Sequence, residues 1–205
     1  MSELPRARGA LIRPATRADL AQVTGVLTAA FDDDPVINWI VKSGDGRIAN
    51  LRRYFAAQFL FRHQPVGGAY VTDDGSGAAL WDLPSAEPGR RAGLQLFLAK
   101  MRYIGWPRVH RVNRALAGAE ALHEDRPHYY LSNIGVDPKV QGAGIGSALL
   151  RPVLDLCDAE AVPAALESTK QHNIPFYERH GFQVREEFQL PDGPSFTLMW
   201  REPGS

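Results

Sequence analysis

Three glycines lie close together in the segment VDPKVQGAGIGSALL, which covers residues 136–150. An apolar strand pattern ends at Val136, and an apolar helical pattern runs from Gly144 to Asp158. Glycine has no Cβ, so its backbone adopts positive φ angles and approaches a ligand closely. The amides of such a turn, together with the helix N-terminus, form an anion site suited to a pyrophosphate. On the glycine pattern alone, a plain turn of the chain is an equally good interpretation.

Two other nucleotide motifs are excluded by spacing. A P-loop requires a lysine before the Ser/Thr, but Gly146 is followed directly by Ser147. A dinucleotide fingerprint reads G-x-G-x-x-G near the start of a βαβ unit, whereas here G-x-G-x-G occurs late in the chain. The site is therefore neither of these two common phosphate loops.

The composition is that of a globular protein without a strong overall field. Hydrophobic residues make up 44% of the 205 residues, and Lys+Arg and Asp+Glu are equal at 23 each. This balance argues against nucleic acid or an anionic membrane as a partner. We expect one domain over residues 1–205, with an ordered core from about 10 to 200 because the termini fray.

The N-terminus has no apolar run typical of a signal peptide, and no uncharged apolar stretch is long enough to cross a bilayer. A single cysteine, Cys157, excludes an internal disulfide and suits a reducing compartment. His172 and His180 do not form a metal-binding pattern. We therefore predict a cytoplasmic protein with no metal and with Cys157 as an inert core thiol.

Strands and helices alternate around the glycine segment. Apolar positions at helical spacing predict helices over residues 20–31, 51–59 and 94–104, and residues 69–81 have the pattern of a hairpin. Residues 106–125 fit either a helix or an ordered loop, whose arginines we interpret as a solvated face. Further strands are predicted at 128–136, 164–169, 182–190 and 195–200, with a short helix at 173–180. The pattern predicts a mixed sheet with helices on its faces.

Two segments resemble the signatures of the GNAT superfamily of N-acetyltransferases. Gln141–Gly146 is similar to the family's pyrophosphate signature, Gln/Arg-x-x-Gly-x-Gly/Ala, and Asn173–Phe182 is similar to its second signature, Asn-x-x-x-Tyr-x-x-x-Gly-Phe. From about Leu11 onward, the chain looks most like the puromycin N-acetyltransferase-like members. The resemblance implies an α/β (α+β) GNAT fold with a central, mixed, mostly antiparallel twisted sheet and helices on both faces.

The resemblance also implies acetyl-CoA as the cofactor. Its pantetheine arm is expected in a cleft between the strand that ends at Val136 and the strand 164–169, bound by the backbone of Ile134 and Val136. The amide of Val136 would polarise the thioester carbonyl. The expected cofactor-binding residues are Ile134, Gly135, Val136, Gln141, Gly142, Ala143, Gly144, Ile145, Gly146, Ser147, Asn173 and Phe176.

Two residues are expected to be catalytic. Tyr177 would protonate the departing thiolate, since a phenol of pKa about 10 and a thiol of pKa about 8.5 differ little. The attacking amine must first lose a proton, and Glu167 is the leading candidate for the base. A structural carboxylate is the alternative for Glu167, with His63 or Tyr129 as substitutes in the catalytic role.

The acceptor amine is expected near residues 32–34, where acidic side chains attract a cation. The expected substrate-binding residues are Phe31, Asp33, Trp39, Tyr54 and Tyr129; a capped helix end with core aromatics is the alternative. We expect direct attack on acetyl-CoA by a small-molecule amine in a ternary complex, in a monomer or homodimer. An acyl-CoA-binding sensor without turnover and a protein-lysine acetyltransferase are the competing hypotheses.

Overall fold

The computed structural model describes residues 6–7, 10–84, 89–120 and 126–205. Within them, seven strands form the main sheet, and a two-residue strand, β1 (Arg6–Ala7), pairs along its first edge. The seven are β2 (Ala10–Pro14), β3 (Ala69–Thr72), β4 (Gly77–Asp82), β5 (Tyr129–Val136), β6 (Ala164–Ser168), β7 (Gln183–Gln189) and β8 (Ser195–Arg201). The predicted hairpin at 69–81 is confirmed, because β3 and β4 pair antiparallel across the turn at 73–76.

The strands lie in the order β1-β2-β3-β4-β5-β6-β8-β7. Among the described strands, β5 and β6 are the one parallel pair. They pair only from Tyr129 to Leu131 on β5 and from Ala164 to Leu166 on β6, so the two strands separate beyond that level. The predicted mixed, mostly antiparallel sheet is confirmed, and it contains a gap at its centre.

Seven α-helices accompany the sheet in the described residues. They are α1 (Leu20–Ala30), α2 (Pro35–Ile40), α3 (Arg47–Gln58), α4 (Arg90–Tyr103), α5 (Trp106–Glu120), α6 (Ile145–Glu160) and α7 (Ile174–Glu178). Of the segment left open between helix and loop, residues 106–120 form the helix α5, and residues 121–125 lie outside the described ranges. Its Arg108 donates to the backbone carbonyl of Trp39 on α2, so this arginine is not part of a solvated face.

The helices cover both faces of the sheet because each buries one apolar stripe. Leu27 of α1 and Phe55 of α3 pack with Val71 and Leu80 of the hairpin on one face. On the other face α6 and the segment around α7 pack with β5 and β6; Leu149 there is fully buried. Burial of one such side chain contributes about 1.5–3 kcal/mol. A third apolar cluster joins α2, α4 and α5 to β8 beside the gap.

Within the described ranges, none of the helices combines the length and the apolar character that crossing a membrane requires.

Candidate active site

The glycine loop after β5 leaves its backbone amides open. The side chain of Asp137 accepts from the amide of Lys139 at 3.0 Å and so begins the turn. Gly142 (φ +77°) and Gly144 (φ +82°) then adopt the left-handed conformation that favours glycine. In the described part of the chain, no protein carbonyl accepts from the amides of residues 141–147. These amides, at the N-terminus of α6, are therefore available to an anion.

Gly146 has a second role in the same loop. A Cβ built on it would lie 3.2 Å from the ring of Phe176, so the absence of a side chain lets α7 approach the start of α6 closely. The loop and the second signature are thus in direct contact across the gap in the sheet.

The gap exposes the backbone of β5 on the side of β6. The amide of Asp137 donates to the carbonyl of Ser76 at 2.8 Å, on the β4 side. Backbone groups alternate in direction along a strand, so those of Ile134 and Val136 point away from β4 and into the gap. The carbonyl of Val136 accepts there from the side chain of Gln141 at 3.4 Å. This is the geometry in which an extended ligand would bind as a further strand.

A cavity of about 1090 Å³ connects this gap to the space under α3 and α4. It is lined by most of the predicted site residues: Tyr177, Glu167, Ile134, Gly135, Val136, Gln141, Gly142, Gly144, Ile145, Gly146, Ser147, Asn173, Phe176, Phe31, Asp33 and Tyr54. Ala143, Trp39 and Tyr129 are not among the residues that line it. One cavity therefore contains the glycine loop and both predicted catalytic side chains.

Tyr177 lies on α7 at the cavity wall and is 7% exposed. Burial raises the pKa of its phenol well above the usual value of about 10, and the nearby charge of Asp34 raises it further. No hydrogen-bond partner for its hydroxyl is found among the described residues. The phenol is therefore protonated and free to donate at neutral pH, which its predicted role requires.

Glu167 lines the same cavity from β6. The parallel register pairs Leu131 with Leu166, so Glu167 lies just beyond the last paired level, where the strands separate. Its carboxylate contributes to the raised pKa of Tyr130, after the larger effect of burial. A carboxylate at this position faces the space where an amine would approach the gap.

Tyr129 does not lie at the cavity. It belongs to the core under α6, and its hydroxyl donates to Glu160 at 2.7 Å. Side chains alternate along β5, so its neighbour Tyr130 lines the cavity instead. The prediction chose the wrong one of two adjacent tyrosines, which differ only in the face of the strand.

Trp39 and His63 also lie elsewhere. The indole of Trp39 donates to the carbonyl of Asp192 at 3.0 Å and packs on the β7–β8 turn. His63 is fully buried, its Nδ1 lies 3.0 Å from the carbonyl of Trp81, and burial lowers its pKa to about 4. It does not line the cavity and is not placed to act as the base.

The acidic segment before α2 divides into two roles. Asp33 forms an ion pair with Lys170, which lowers the pKa of its carboxyl. Asp34 is only 2% exposed, caps α2 through the amide of Ile37 at 2.8 Å, and accepts from the hydroxyl of Thr169. Burial raises the pKa of Asp34. The segment thus connects the acceptor side to the end of β6, and within the predicted acidic segment Asp33 is paired with a lysine and Asp34 is buried.

A polar stripe runs along α3 and the helical turn that follows it, at residues 59–63. Tyr54, Gln58 and Arg62 recur every four residues and all line the cavity; Tyr54 was predicted, whereas Gln58 and Arg62 were not. Residues at this spacing share one helix face, so the repeat is the signal that was available in the sequence. Burial raises the pKa of Tyr54 to about 12. Its ring lies 5.4 Å from that of Tyr103, which extends the expected aromatic wall.

Cys157 is fully buried on α6, and burial raises the pKa of its thiol to about 12. Within the described ranges, no group of three or more His, Cys, Asp or Glu side chains is arranged to hold a metal ion.

Comparison with known proteins identifies the family of the chain. Residues 108–202 match the model of the acetyltransferase (GNAT) domain family. An uncharacterised N-acetyltransferase of Schizosaccharomyces pombe is 30% identical over 200 residues, covering 90% of this chain and 80% of that protein. The N-alpha-acetyltransferase RimI of Mycobacterium tuberculosis is 33% identical over 92 residues, 43% of this chain and 58% of that protein.

The crystal structure of a histone acetyltransferase HPA2 and related acetyltransferase from Corynebacterium glutamicum superposes with a TM-score of 0.74. It is 25% identical, and the match covers 96% of this chain and 97% of that one. The sequence signatures, the divergent parallel strands and these relatives lead to one conclusion: the chain belongs to the GNAT family of N-acetyltransferases and is an acyltransferase enzyme.

Proposed function

We propose that the protein transfers the acetyl group of acetyl-CoA to an amine of a small molecule by direct attack in a ternary complex. The observation that carries this proposal is the end of β5–β6 pairing at Leu131. It opens a gap whose cavity is lined by the glycine loop, Glu167 and Tyr177 together. The cavity thus has room for both substrates at once.

The residues around the gap fit coenzyme A. The open amides of residues 141–147 suit a pyrophosphate, and the backbone of Ile134 and Val136 suits the amide groups of pantetheine. The coenzyme supplies the acetyl group as a thioester. The amide of Val136 points into the gap and would donate to the thioester carbonyl oxygen as it gains charge.

The remaining steps fall to two side chains. An alkylamine of pKa about 10.4 loses its proton at pH 7 at a cost of about 4–5 kcal/mol, and in this proposal Glu167 accepts that proton. The neutral nitrogen then forms the C–N bond, and the C–S bond breaks. Tyr177 donates its proton to the departing thiolate, and the second proton released by the nitrogen restores the phenol. The products are the N-acetyl amine and free coenzyme thiol.

A thiol-release assay tests the proposal. Purified protein is mixed with acetyl-CoA and a panel of small amines, puromycin included, alongside lysine-containing peptides. We expect release that depends on a small amine and falls at least about 100-fold in Glu167→Gln, in line with the loss of a general base. Binding of acetyl-CoA without turnover of any amine, or turnover of the peptides only, would contradict it.

We further propose that the enzyme works in the cytoplasm as a monomer or homodimer. The lone buried Cys157 needs no oxidising compartment. Cell fractionation and size-exclusion chromatography with light scattering test this, and a larger assembly or a secreted protein would refute it.

A further inference from the structure

The acceptor side of the cavity contains two buried amide side chains, both of which interact with Tyr54. Gln58 belongs to the polar stripe of α3, and Asn133 belongs to β5. They are 9% and 4% exposed, and both line the cavity. Among the residues that the structure describes, no hydrogen-bond partner is found for Gln58 Oε1 or Asn133 Oδ1. Buried polar atoms are nearly always paired, so two unpaired oxygens in one cavity need an explanation.

An irregularity of β5 brings Asn133 to this face. Leu80 pairs with Asn133 but Trp81 pairs with Leu131, so Ser132 is an extra residue in the strand. A bulge of this kind resets the alternation of side chains. Tyr130 and Asn133, three positions apart, therefore both line the cavity. The bulge is what turns an amide toward the acceptor space.

Tyr54 cannot provide a hydrogen bond to both amide oxygens. Its hydroxyl interacts with both amides, which lowers the pKa of Tyr54 against the larger effect of burial. A phenol has a single proton, so it satisfies one amide oxygen at most. Within the described part of the chain, at least one oxygen of the pair therefore accepts nothing.

The charge beside this pair is already neutralised. Arg62 binds Asp82 through two hydrogen bonds of 2.7 and 2.8 Å, and Asp82 also accepts from the hydroxyl of Ser132 at 2.9 Å. The guanidinium is thus engaged, and a ligand carboxylate would find acceptor oxygens instead of an open cation. The chemistry of the pair calls for an N–H or O–H donor.

The pair also lies next to the proposed reaction centre. Leu131 is level with Leu166 in the parallel register, so Asn133 and Glu167 follow within two residues of the same level. The pair and Glu167 line the same cavity, so one acceptor molecule can contact both.

Resting on the proposed function, we infer that Gln58 and Asn133 form a recognition site for a second hydrogen-bond donor of the acceptor. The substrate class is then an amine with a hydroxyl or second amino group a few bonds from the reacting nitrogen, an amino alcohol or a diamine. Simple alkylamines leave the two amide oxygens unpaired, and amino acids bring a carboxylate against them. Both classes of amine should therefore be acetylated less efficiently.

Matched amines test the inference. Unbranched alkylamines are compared with the ω-amino alcohols, diamines and ω-amino acids of the same chain length. Turnover is followed by thiol release, and amine affinity by calorimetry with coenzyme A present. We expect kcat/KM and affinity about tenfold higher for the better of the two donor-bearing amines than for the alkylamine, the effect of one to two additional hydrogen bonds.

Substitutions assign the preference to the pair. In Asn133→Leu and Gln58→Leu, the tenfold ratio should fall to about one, since neither variant can accept from the donor. Asn113→Leu, on the exposed face of α5 and outside the cavity, should keep the wild-type ratio. Thermal melting and acetyl-CoA binding verify folding, and Gln58→Met replaces a leucine variant that does not fold.

Two results would overturn the inference. The first is equal affinity of the wild type for alkylamines and donor-bearing amines, as expected if water fills the site. The second is a preference for donor-bearing amines that is unchanged in both Asn133→Leu and Gln58→Leu. If no amine is acetylated, the proposed function fails separately, and the calorimetric ratio still decides whether the pair recognises a donor.

Discussion

Replacing Tyr177 with phenylalanine should abolish most turnover without weakening the fold. The hydroxyl lies in a buried cavity wall, has no partner found among the described residues, and is kept protonated by its raised pKa. Its removal leaves no new unpaired group, so we expect the free energy of unfolding to stay within about 0.5 kcal/mol. Loss of a donor that acts on developing charge lowers kcat by about 10²–10³, or about 2.7–4 kcal/mol.

Tyr129→Phe is the matched control because it removes the same atom from a tyrosine of the same apolar cluster that does not line the cavity. The Tyr129 hydroxyl donates to Glu160 at 2.7 Å and does not line the cavity. This variant should lose about 1 kcal/mol of stability and keep its kcat. The two phenylalanine variants therefore have opposite signatures, one in turnover and the other in stability.

Steady-state thiol release, isothermal titration with acetyl-CoA and urea denaturation measure the three quantities. For Tyr177→Phe, we expect an unchanged dissociation constant for acetyl-CoA, since the hydroxyl acts mainly in the transition state. A kcat within twofold of the wild type would refute the assignment of Tyr177 as the acid. A loss of acetyl-CoA affinity equal to the loss of kcat would show that the hydroxyl serves binding instead.

Three further predictions concern the loop, the pH dependence of folding and the cysteine. Gly144→Val should abolish the thermal shift produced by acetyl-CoA. Gly67→Val, at the same φ of +82°, should keep that shift and only lower the free energy of unfolding by about 1–2 kcal/mol. A retained shift in Gly144→Val would contradict the role of the loop. The ion pair with Arg13 holds the pKa of Asp19 far below its usual value. At acidic pH the unfolded chain therefore binds more protons than the folded chain does. About 1.5 kcal/mol of the free energy of unfolding is thus lost as the pH falls below about 4. Acid denaturation of Asp19→Asn should lack that loss, and identical acid limbs would disprove it. Cys157 should resist Ellman's reagent at pH 8 until the protein is denatured, because its thiol is buried and its pKa is about 12; rapid labelling of the native protein would be the contrary result.

The parts of the site that depend on local backbone geometry were predictable from sequence. The glycine loop needs positive φ angles at Gly142 and Gly144, and glycine is the residue that supplies them. The position of α6 after β5 followed from the change of apolar period. These features depend only on residues that are neighbours in the sequence, so they can be predicted from one sequence alone.

The orientation of side chains toward the cavity was less predictable. The bulge at Ser132 has no marker such as glycine, yet it decides that Asn133 faces the acceptor space. The role of Asp34 depends on Thr169, which is distant in the sequence. Trp39 was expected at the cavity on its type alone, but its partner is the β7–β8 turn, a contact that the tertiary fold creates.

The short pairing between β5 and β6 has a consequence for the cohesion of the molecule. Only three residue pairs, Tyr129 to Leu131 with Ala164 to Leu166, connect the first four main strands to the last three. A ligand bound as an extra strand would form hydrogen bonds to β5 and to β6. It would thus hold the two halves of the sheet together for as long as it is bound. The amide hydrogens of Ile134 and Val136, which point into the gap, should then exchange slowly only in its presence, whereas the amides that bond to β4 are protected in either state. The two halves of the sheet should therefore unfold together when coenzyme is abundant and separately when it is scarce.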